Sequence, residues 1–234
     1  MTNTKIAVIP ARGGSKRIPR KNIKDFHGKP IISYAITAAI ESGLFEHVFV
    51  STDDNEIASI AEQYGATVPF VRPKELADDH STLGNVLAHT SHWLSENGFE
   101  FSAICSIFPT SPFLHTNDLK AAYDIFSTGN WNYVFAATEY VSPIQRSFRI
   151  RDDQTVEMFH PEEFETRSQD LEKAYHDAGM FSWGTPEAWK EQRPPFSNAS
   201  TIYKLPHYRV IDLDTIDDWL RAEIMYEVLE KRNQ

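Results

Sequence analysis

Hydrophobic residues in this chain follow two alternating patterns: short runs of strand length, and longer segments with apolar positions three and four residues apart. The short runs predict strands at residues 6–9, 47–51, 67–71, 103–108, 133–138 and 208–214. The periodic segments predict helices at residues 30–41, 55–64, 82–96, 117–126 and 215–231. Because strands alternate with helices, we expect a mostly parallel sheet with helices on both faces, a three-layer α/β/α architecture.

This alternation stops between residues 139 and 178, where the chain becomes polar. Pro143, Pro161 and the acidic residues Glu162, Glu163 and Glu165 argue against another strand–helix unit there. We therefore interpret the segment as a hairpin-rich insertion. Since the sequence shows neither repeats nor a flexible linker, we expect residues 1–234 to form a single domain that includes this insertion.

Composition narrows the class of protein. The 234 residues include 15 Phe, 9 Tyr and 5 Trp, which is enough aromatic surface for a sizeable core. No run approaches the ~18 apolar residues of a membrane helix, and the first apolar run, which ends at Pro10, is too short for a secretory signal. The formal net charge of −10 argues against general binding to nucleic acids or anionic membranes. Because Cys105 is the single cysteine, no disulfide can form within the chain, and we expect a cytoplasmic protein.

A strongly basic loop follows the first predicted strand of this acidic chain. Five of the 23 Lys and Arg residues lie within ten positions, namely Arg12, Lys16, Arg17, Arg20 and Lys21. Like charges this close repel one another unless an anion neutralises them, and Gly13-Gly14 lets the backbone offer N–H donors to such an anion. Open α/β sheets bind their ligands at the carboxyl ends of strands, where this loop lies. The loop is therefore predicted to bind phosphate, although it is neither a Walker A sequence nor a GxGxxG motif.

Two carboxylates near the end of the chain are the predicted counterpart of this loop. Asp212 and Asp214 stand two apart on the predicted strand 208–214, so both side chains would face the same side. Two carboxylates acting with bound phosphates are a common way of holding Mg²⁺, which neutralises charge on a phosphoryl group. Asp53 and Asp54 form another candidate pair, although Asp54 fits equally well as the N-cap of the helix at 55–64.

Taken together, these motifs resemble the CMP-sialic acid synthetases and their relatives. The matching segments occur in the family's order at residues 9–22, 50–54, 72–76, 109–112 and 211–214. The resemblance implies a Rossmann-like nucleotidyltransferase fold and the transfer of CMP from CTP to the anomeric hydroxyl of a nonulosonic acid, with release of pyrophosphate. It also implies Mg²⁺ as cofactor and a homodimer formed through the insertion.

The resemblance assigns roles position by position. Arg12 and Lys21 would bind the triphosphate, with Lys21 at the α-phosphate, and these two residues with Asp212 are the expected catalytic set. The other expected nucleotide contacts are Gly13, Gly14, Ser15, Asn22, Ser81 and Thr82. Of these, Asn22 would contact the cytosine, and Ser81 and Thr82 lie where the family recognises the base. Asp212 and Asp214 match the metal-binding aspartates.

The departures from the sialate pattern concern the sugar. Sialate enzymes usually carry Gln before Pro-Thr-Ser-Pro, where this chain has Phe108, and residues 167–171 and 175–184 are similar to the pseudaminic acid cytidylyltransferases. Pseudaminic acid lacks the hydroxyl on its terminal carbon and carries an extra acylamino group, so we expect a less polar pocket. A site built to pair a hydroxyl can reject an analogue lacking it by ~10⁴-fold. The expected sugar contacts are Phe108, Arg167, Gln169, Tyr175, His176 and Asp177.

Several alternatives remain open at this stage. An N-acetylneuraminic acid or 3-deoxy-manno-octulosonate cytidylyltransferase would share the chemistry, although the second has a different basic loop. A metal-dependent glycosyltransferase also combines an α/β sheet with an Asp-x-Asp motif. A non-enzymatic anion- or RNA-binding module would explain the basic loop but neither Asp212, Asp214 nor the charge of −10. The general base is also open among Asp212, a metal-bound hydroxide and solvent.

Overall fold

The computed structural model describes residues 4–233. The strands are β1 (Lys5–Pro10), β2 (Asp25–Phe26), β3 (Lys29–Pro30), β4 (His47–Ser51), β5 (Ala103–Ile107), β6 (Tyr133–Glu139), β7 (Phe148–Ile150), β8 (Val156–Met158), β9 (Tyr175–Gly184) and β10 (Ser200–Lys204). The α-helices are α1 (Ile32–Ser42), α2 (Asn55–Gln63), α3 (Leu83–Glu96), α4 (Thr116–Thr128), α5 (Pro186–Lys190) and α6 (Ile216–Asn233). Among the described residues, no helix combines the length and hydropathy needed to cross a bilayer.

Six strands form the central sheet in the order β10-β6-β9-β5-β1-β4. β1 pairs in parallel with β4 and β5, and β6 pairs in parallel with β10. β9 lies between β5 and β6 and is antiparallel to both. The prediction of a mostly parallel sheet is confirmed, whereas its single antiparallel strand was not predicted.

Side chains alternate across the sheet and build a separate core on each face. Ile6 and Val8 of β1 pack with α3 and α5, whereas Ala7 and Ile9 pack with α1, α2, α4 and α6. This alternation follows from the two-residue period of a strand, and burial on both faces explains why β1 is apolar without interruption from Ile6 to Ile9. The three-layer α/β/α architecture is confirmed.

The predicted strand at residues 208–214 is wrong. A 3₁₀ turn at His207–Arg209 opens this segment, and residues 210–214 lie outside any helix or strand. Arg209 turns inward to pair with Asp118 at 2.7 Å, and Leu213 is buried, so the segment packs against the helical layer instead of the sheet. The strand in this part of the chain is β10, which the sequence analysis missed.

Two further segments depart from their predicted form. Residues 67–71 are extended but join the sheet only through isolated bridges from Thr67 to Phe49 and from Val71 to Thr52. The insertion does contain a hairpin, β7–β8, whose strands pair antiparallel. Its predicted end at residue 178 falls inside β9, however, because the sheet resumes at Tyr175.

Candidate functional site

A cleft of about 520 Å³ opens at the carboxyl ends of β1 and β5. It brings together the basic loop after β1, the segment before α3 and the residues after β5. The lining residues are Pro10, Arg12, Ser15, Lys16, Arg17, Lys21, Asn22, Arg72, Asp79, Ser81, Thr82, Leu83, Val86, Phe108, Pro109 and Thr110. The cleft therefore collects most of the residues that the sequence predicts to bind a nucleotide.

Close packing against the start of α2 fixes the position of Gly13 in the basic loop. The Gly13 N–H donates to Asp53 Oδ1 at 3.0 Å. A Cβ at position 13 would lie 2.5 Å from Asp54 Oδ2, so only glycine fits there without movement. Asp54 caps α2 by accepting the N–H groups of Glu56 and Ile57, both at 3.0 Å, and also pairs with Arg20. Asp53 and Asp54 thus act within the fold, which favours the N-cap interpretation of Asp54.

Lys21 lies at the inner end of the cleft, next to the acidic segment that precedes α6. Its Nζ donates to the Leu213 carbonyl at 2.7 Å and lies 3.9 Å from Asp214 Oδ1. Arg17 pairs with the other oxygen of Asp214 at 2.7 Å. Burial lowers the pKa of Lys21 even though Asp214 and Asp212 act in the opposite direction. A partly desolvated cation of this kind interacts strongly with any anion that enters.

Asp212 and Asp214 both act on Lys21 electrostatically although their segment is not a strand. They flank the buried Leu213, whose carbonyl accepts the hydrogen bond from Lys21 Nζ. Loss of hydration and the nearby Asp214 carboxylate raise the pKa of Asp212. Among the described residues, no group of three or more His, Cys, Asp or Glu side chains could hold a metal by itself. A pair of carboxylates nevertheless fits Mg²⁺, which takes one or two carboxylates together with substrate phosphates.

Three of the expected nucleotide contacts have clear structural roles in the chain. Asn22 is buried, and its Nδ2 donates to the Arg12 carbonyl at 2.9 Å, which holds the basic loop closed. Thr82 caps α3 by accepting the Asn85 N–H at 3.2 Å, and the Ser81 hydroxyl donates to the Glu75 carbonyl at 2.9 Å. All three line the cleft, so they shape it whatever contact they make with a base.

Phe108 stands between the cleft and a second, more apolar cavity of about 330 Å³. The Phe108 N–H donates to the Met180 carbonyl at 2.9 Å, where the pairing of β9 with β6 shifts register. Asp177 lines the second cavity and accepts the Gly179 N–H at 2.6 Å. Loss of hydration raises the pKa of Asp177, and the Asp212 carboxylate adds to this. Thr82, Leu83 and Phe108 line both cavities, so the two adjoin there. Irregularities in strand pairing often re-aim a side chain at a site in this way.

The other expected sugar contacts lie elsewhere. Tyr175 accepts a hydrogen bond from Lys204 Nζ at 2.9 Å, and the His176 ring packs against Tyr140 at 4.8 Å between centroids. Arg167 pairs with Asp170 at 2.7 Å. Gln169 lines a separate cavity of about 490 Å³ within the insertion. Arg167 and Gln169 therefore belong to a surface of the insertion and not to the cleft of their own chain.

Residues 6–203 match the family model described as Cytidylyltransferase, which covers most of the chain. The chain belongs to the cytidylyltransferase family. The matched span includes the whole basic loop and stops short of Asp212 and Asp214.

Individual relatives agree with this placement. The cytidylyltransferase chain is 46% identical over 223 residues to a pseudaminic acid cytidylyltransferase of Campylobacter jejuni, covering 95% of this chain and 96% of the relative. It is 32% identical over 230 residues to the CMP-N,N'-diacetyllegionaminic acid synthase of Legionella pneumophila, covering 95% and 96% of the two chains. The solved CMP:2-keto-3-deoxy-manno-octonic acid synthetase complexed with CTP superposes with a TM-score of 0.69 at 15% identity, covering 96% of this chain and 99% of the other, which supports the fold.

One cleft residue of this cytidylyltransferase was missed as a site residue by the sequence analysis. Arg72 is only 4% exposed, and its Nε donates to the Ser51 hydroxyl at 3.1 Å. Burial lowers its pKa to about 10. The signal was present in the sequence, since Arg72 opens the matching segment 72–76, but residue type and spacing alone did not place it beside the basic loop.

Proposed function

We propose that this cytidylyltransferase transfers CMP from CTP to the anomeric hydroxyl of pseudaminic acid and releases pyrophosphate. The observation that carries the proposal is one cleft lined by the cations Arg12, Lys16 and Lys21, with the Asp214 carboxylate 3.9 Å from Lys21 Nζ. Identity supports the choice of sugar, because it is 46% to a pseudaminate enzyme and 32% to a legionaminate enzyme. The proposed reaction consumes CTP and belongs in the cytoplasm, where the buried thiol of Cys105 stays reduced.

In the proposed mechanism, the sugar hydroxyl attacks the α-phosphorus of CTP in line with the departing pyrophosphate. Lys21 meets the charge that develops on the α-phosphate, and Arg12 binds the pyrophosphate end. Gly13, Gly14 and Ser15 contribute backbone and hydroxyl donors along the phosphates. Asp212 and Asp214 would hold Mg²⁺, which would supply neutralisation of the charge on the phosphates.

We assign recognition of the cytosine to the rim formed by Arg72, Ser81 and Thr82, which line the cleft together. Hydrogen bonds from the guanidinium to Ser51 hold Arg72 in place, and no salt bridge pairs it with a carboxylate within residues 4–233. Its remaining N–H groups are suited to the carbonyl and ring nitrogen of a pyrimidine. Asn22 acts indirectly, since its amide fixes the Arg12 carbonyl.

The second cavity fits the sugar. Its apolar walls include Leu83, Phe108 and Phe181, and Asp177 is a carboxylate acceptor at its edge. These walls suit the deoxygenated terminal carbon and the acyl groups of pseudaminic acid, and the Asp177 carboxylate suits an amide N–H. Tyr175 and His176 lie further along β9 and would contact the outer part of the sugar.

Arg167 and Gln169 fit the sugar site only if a second copy supplies them. Both lie on the insertion, outside the cleft of their own chain, and the insertion exposes several large apolar side chains. We therefore propose a homodimer in which each insertion reaches the cleft of the other subunit. In this arrangement Arg167 would bind the sugar carboxylate once it is released from Asp170.

Pyrophosphate release from CTP and Mg²⁺ tests the proposal directly. Pseudaminic acid, N-acetylneuraminic acid and N,N'-diacetyllegionaminic acid would be compared under identical conditions, with EDTA as the metal control. We expect turnover with pseudaminic acid and a rate lower by a factor of at least about 100 with N-acetylneuraminic acid. Turnover with N-acetylneuraminic acid alone would keep the reaction and refute the assigned sugar. No pyrophosphate from any of the three sugars would refute the reaction itself.

A further inference from the structure

One carboxylate of the chain already occupies part of the basic loop. Asp79 Oδ1 lies 2.8 Å from Arg12 Nη1, and its Oδ2 pairs with Lys16. Both cations and Asp79 line the cleft. A single acidic side chain from the segment before α3 thus neutralises two of the cations that would face a phosphate.

The turn that carries Asp79 is well built. Asp78 Oδ1 accepts the N–H groups of His80 and Ser81 at 3.0 and 2.7 Å, which closes a tight Asx turn. The Asp78 carbonyl in turn accepts a hydrogen bond from Arg12 at 2.7 Å. The turn leads directly into the N-cap of α3 at Thr82. Asp79 is therefore presented to Arg12 and Lys16 by an ordered loop.

Asp79 and Asp214 pair with different cations of the basic loop. Lys21 and Arg17 face Asp214, whereas Arg12 and Lys16 face Asp79. If Lys21 meets the α-phosphate, as proposed above, Arg12 and Lys16 are left for the two outer phosphates. The Asp79 carboxylate then stands where those phosphates must bind, and the two anions repel each other.

We propose that Asp79 competes with the outer phosphates for Arg12 and Lys16 and so promotes the release of pyrophosphate. The outer phosphates of CTP displace Asp79 from Arg12 and Lys16, because other residues hold the base and the α-phosphate. This gives the outer phosphates a high effective concentration at the loop. Once the α–β bond is broken, free pyrophosphate has lost that tether. Asp79 is tethered to the chain throughout, so it recaptures both cations and displaces the product. The inference rests on the proposed function and assigns a positioning role to a residue outside the expected catalytic set.

Titration calorimetry on Asp79→Asn, without sugar, tests the assignment. Asparagine keeps the size of the side chain and removes its charge. We expect pyrophosphate to bind on the order of 3- to 10-fold more tightly than to the wild type, the range for losing a pair of partly exposed ionic contacts. CTP is expected to gain by a similar or smaller factor, and CMP, which lacks the outer phosphates, to bind unchanged. Product inhibition by pyrophosphate should strengthen in parallel.

Glu75→Gln is the matched control, since it removes one negative charge from the same loop while Asp79 keeps its pairs with Arg12 and Lys16. It should leave the affinity for pyrophosphate within about twofold, as a solvent-exposed charge at a distance is screened. Equal tightening in both variants would reduce the effect to net charge and overturn the proposal. Unchanged or weaker pyrophosphate binding to Asp79→Asn would also overturn it, as would a matching loss of CMP affinity, which would mark a damaged loop. Failure of the wild type to bind CTP would instead refute the proposed function.

Discussion

Burial and neighbouring charges act in opposite directions on the pKa of Lys21. Its ammonium group is held by the Leu213 carbonyl and lies near Asp214. Loss of hydration nevertheless outweighs the attraction of the Asp214 and Asp212 carboxylates and lowers the pKa of Lys21. A partly desolvated lysine lowers the free energy of unfolding of the ligand-free protein. A bound phosphate offsets this loss, because a partly desolvated cation binds an anion more strongly than a hydrated one.

Lys21→Met is therefore expected to separate catalysis from stability. Turnover should fall by about 100-fold or more, the usual effect of removing one donor that stabilises developing charge. The melting temperature should stay the same or rise, because methionine fills the space without burying a charge. Steady-state kinetics and thermal unfolding would be measured together, with the exposed Lys74→Met as control. Turnover within about threefold of wild type would contradict the role given to Lys21.

Elements with strong periodicity were predictable, and those shaped by distant contacts were not. The range of β4 was predicted to the residue, and α1 was predicted to within two residues at its start. β9 escaped detection because it carries polar residues at one end and glycine at positions 179 and 184, and its place between β5 and β6 depends on long-range pairing.

In the candidate site, too, features set by local spacing were predictable and those set by distant contacts were not. The local spacing of the basic loop and of Asp212 and Asp214 was enough to propose a phosphate and metal site. The strand assigned to 208–214 was wrong because the interior contact of Arg209 with Asp118 lies 91 residues away in sequence. The position of Asp79 on Arg12 is likewise a tertiary contact, 67 residues apart, which no local pattern indicates.

The start of α2 offers a prediction about pH. Asp54 caps the helix and pairs with Arg20, and that guanidinium together with the backbone N–H groups lowers the pKa of Asp54 to about 2. A carboxylate whose pKa is lowered on folding stabilises the protein above its unfolded pKa, and the contribution is lost as the pH falls toward 2. Asp54→Ala should therefore lower the free energy of unfolding by about 1–2 kcal/mol at pH 7.

The difference in unfolding free energy between wild type and Asp54→Ala should shrink steadily below about pH 4. Urea unfolding at several pH values would measure it. Asp152→Ala, an exposed position in the β7–β8 hairpin, serves as the control that should show no such trend. A difference independent of pH would show that the carboxylate charge contributes nothing to the cap.

At the scale of the whole molecule, the insertion carries an exposed apolar surface. Its hairpin and the following turn expose large apolar side chains, with Phe164 at 63% exposure, alongside Phe148, Ile150, Val156 and Phe159. Scattered exposed apolar residues are ordinary, but a concentration in one short segment is typical of an interface. This surface is consistent with the proposed homodimer.

Ile150→Asp is expected to convert the proposed dimer to a monomer, because a carboxylate in an apolar interface must be desolvated without a partner. Light scattering after size exclusion would give the mass, and pyrophosphate release would give the activity. Both should fall together if Arg167 and Gln169 act on the second subunit. Ile40→Asp, at an exposed apolar position on α1 outside the insertion, should alter neither. A wild-type protein that is monomeric at micromolar concentration would contradict the assembly.

The antiparallel strand β9 also determines when, during synthesis of the chain, the central sheet can be completed. β4, β1 and β5 form one set of paired strands, β6 and β10 form another, and β9 is the strand that joins them. A ribosome delivers β5 and β6 before β9, so until β9 emerges both strands present open edges to the cell. The second cavity, which takes residues from β9 and from the segments on both sides of it, is incomplete before that moment. A chain interrupted before residue 184 would thus lack the strand that joins β5 to β6, and the interval between the synthesis of β5 and that of β9 is the period in which this protein depends most on protection from aggregation.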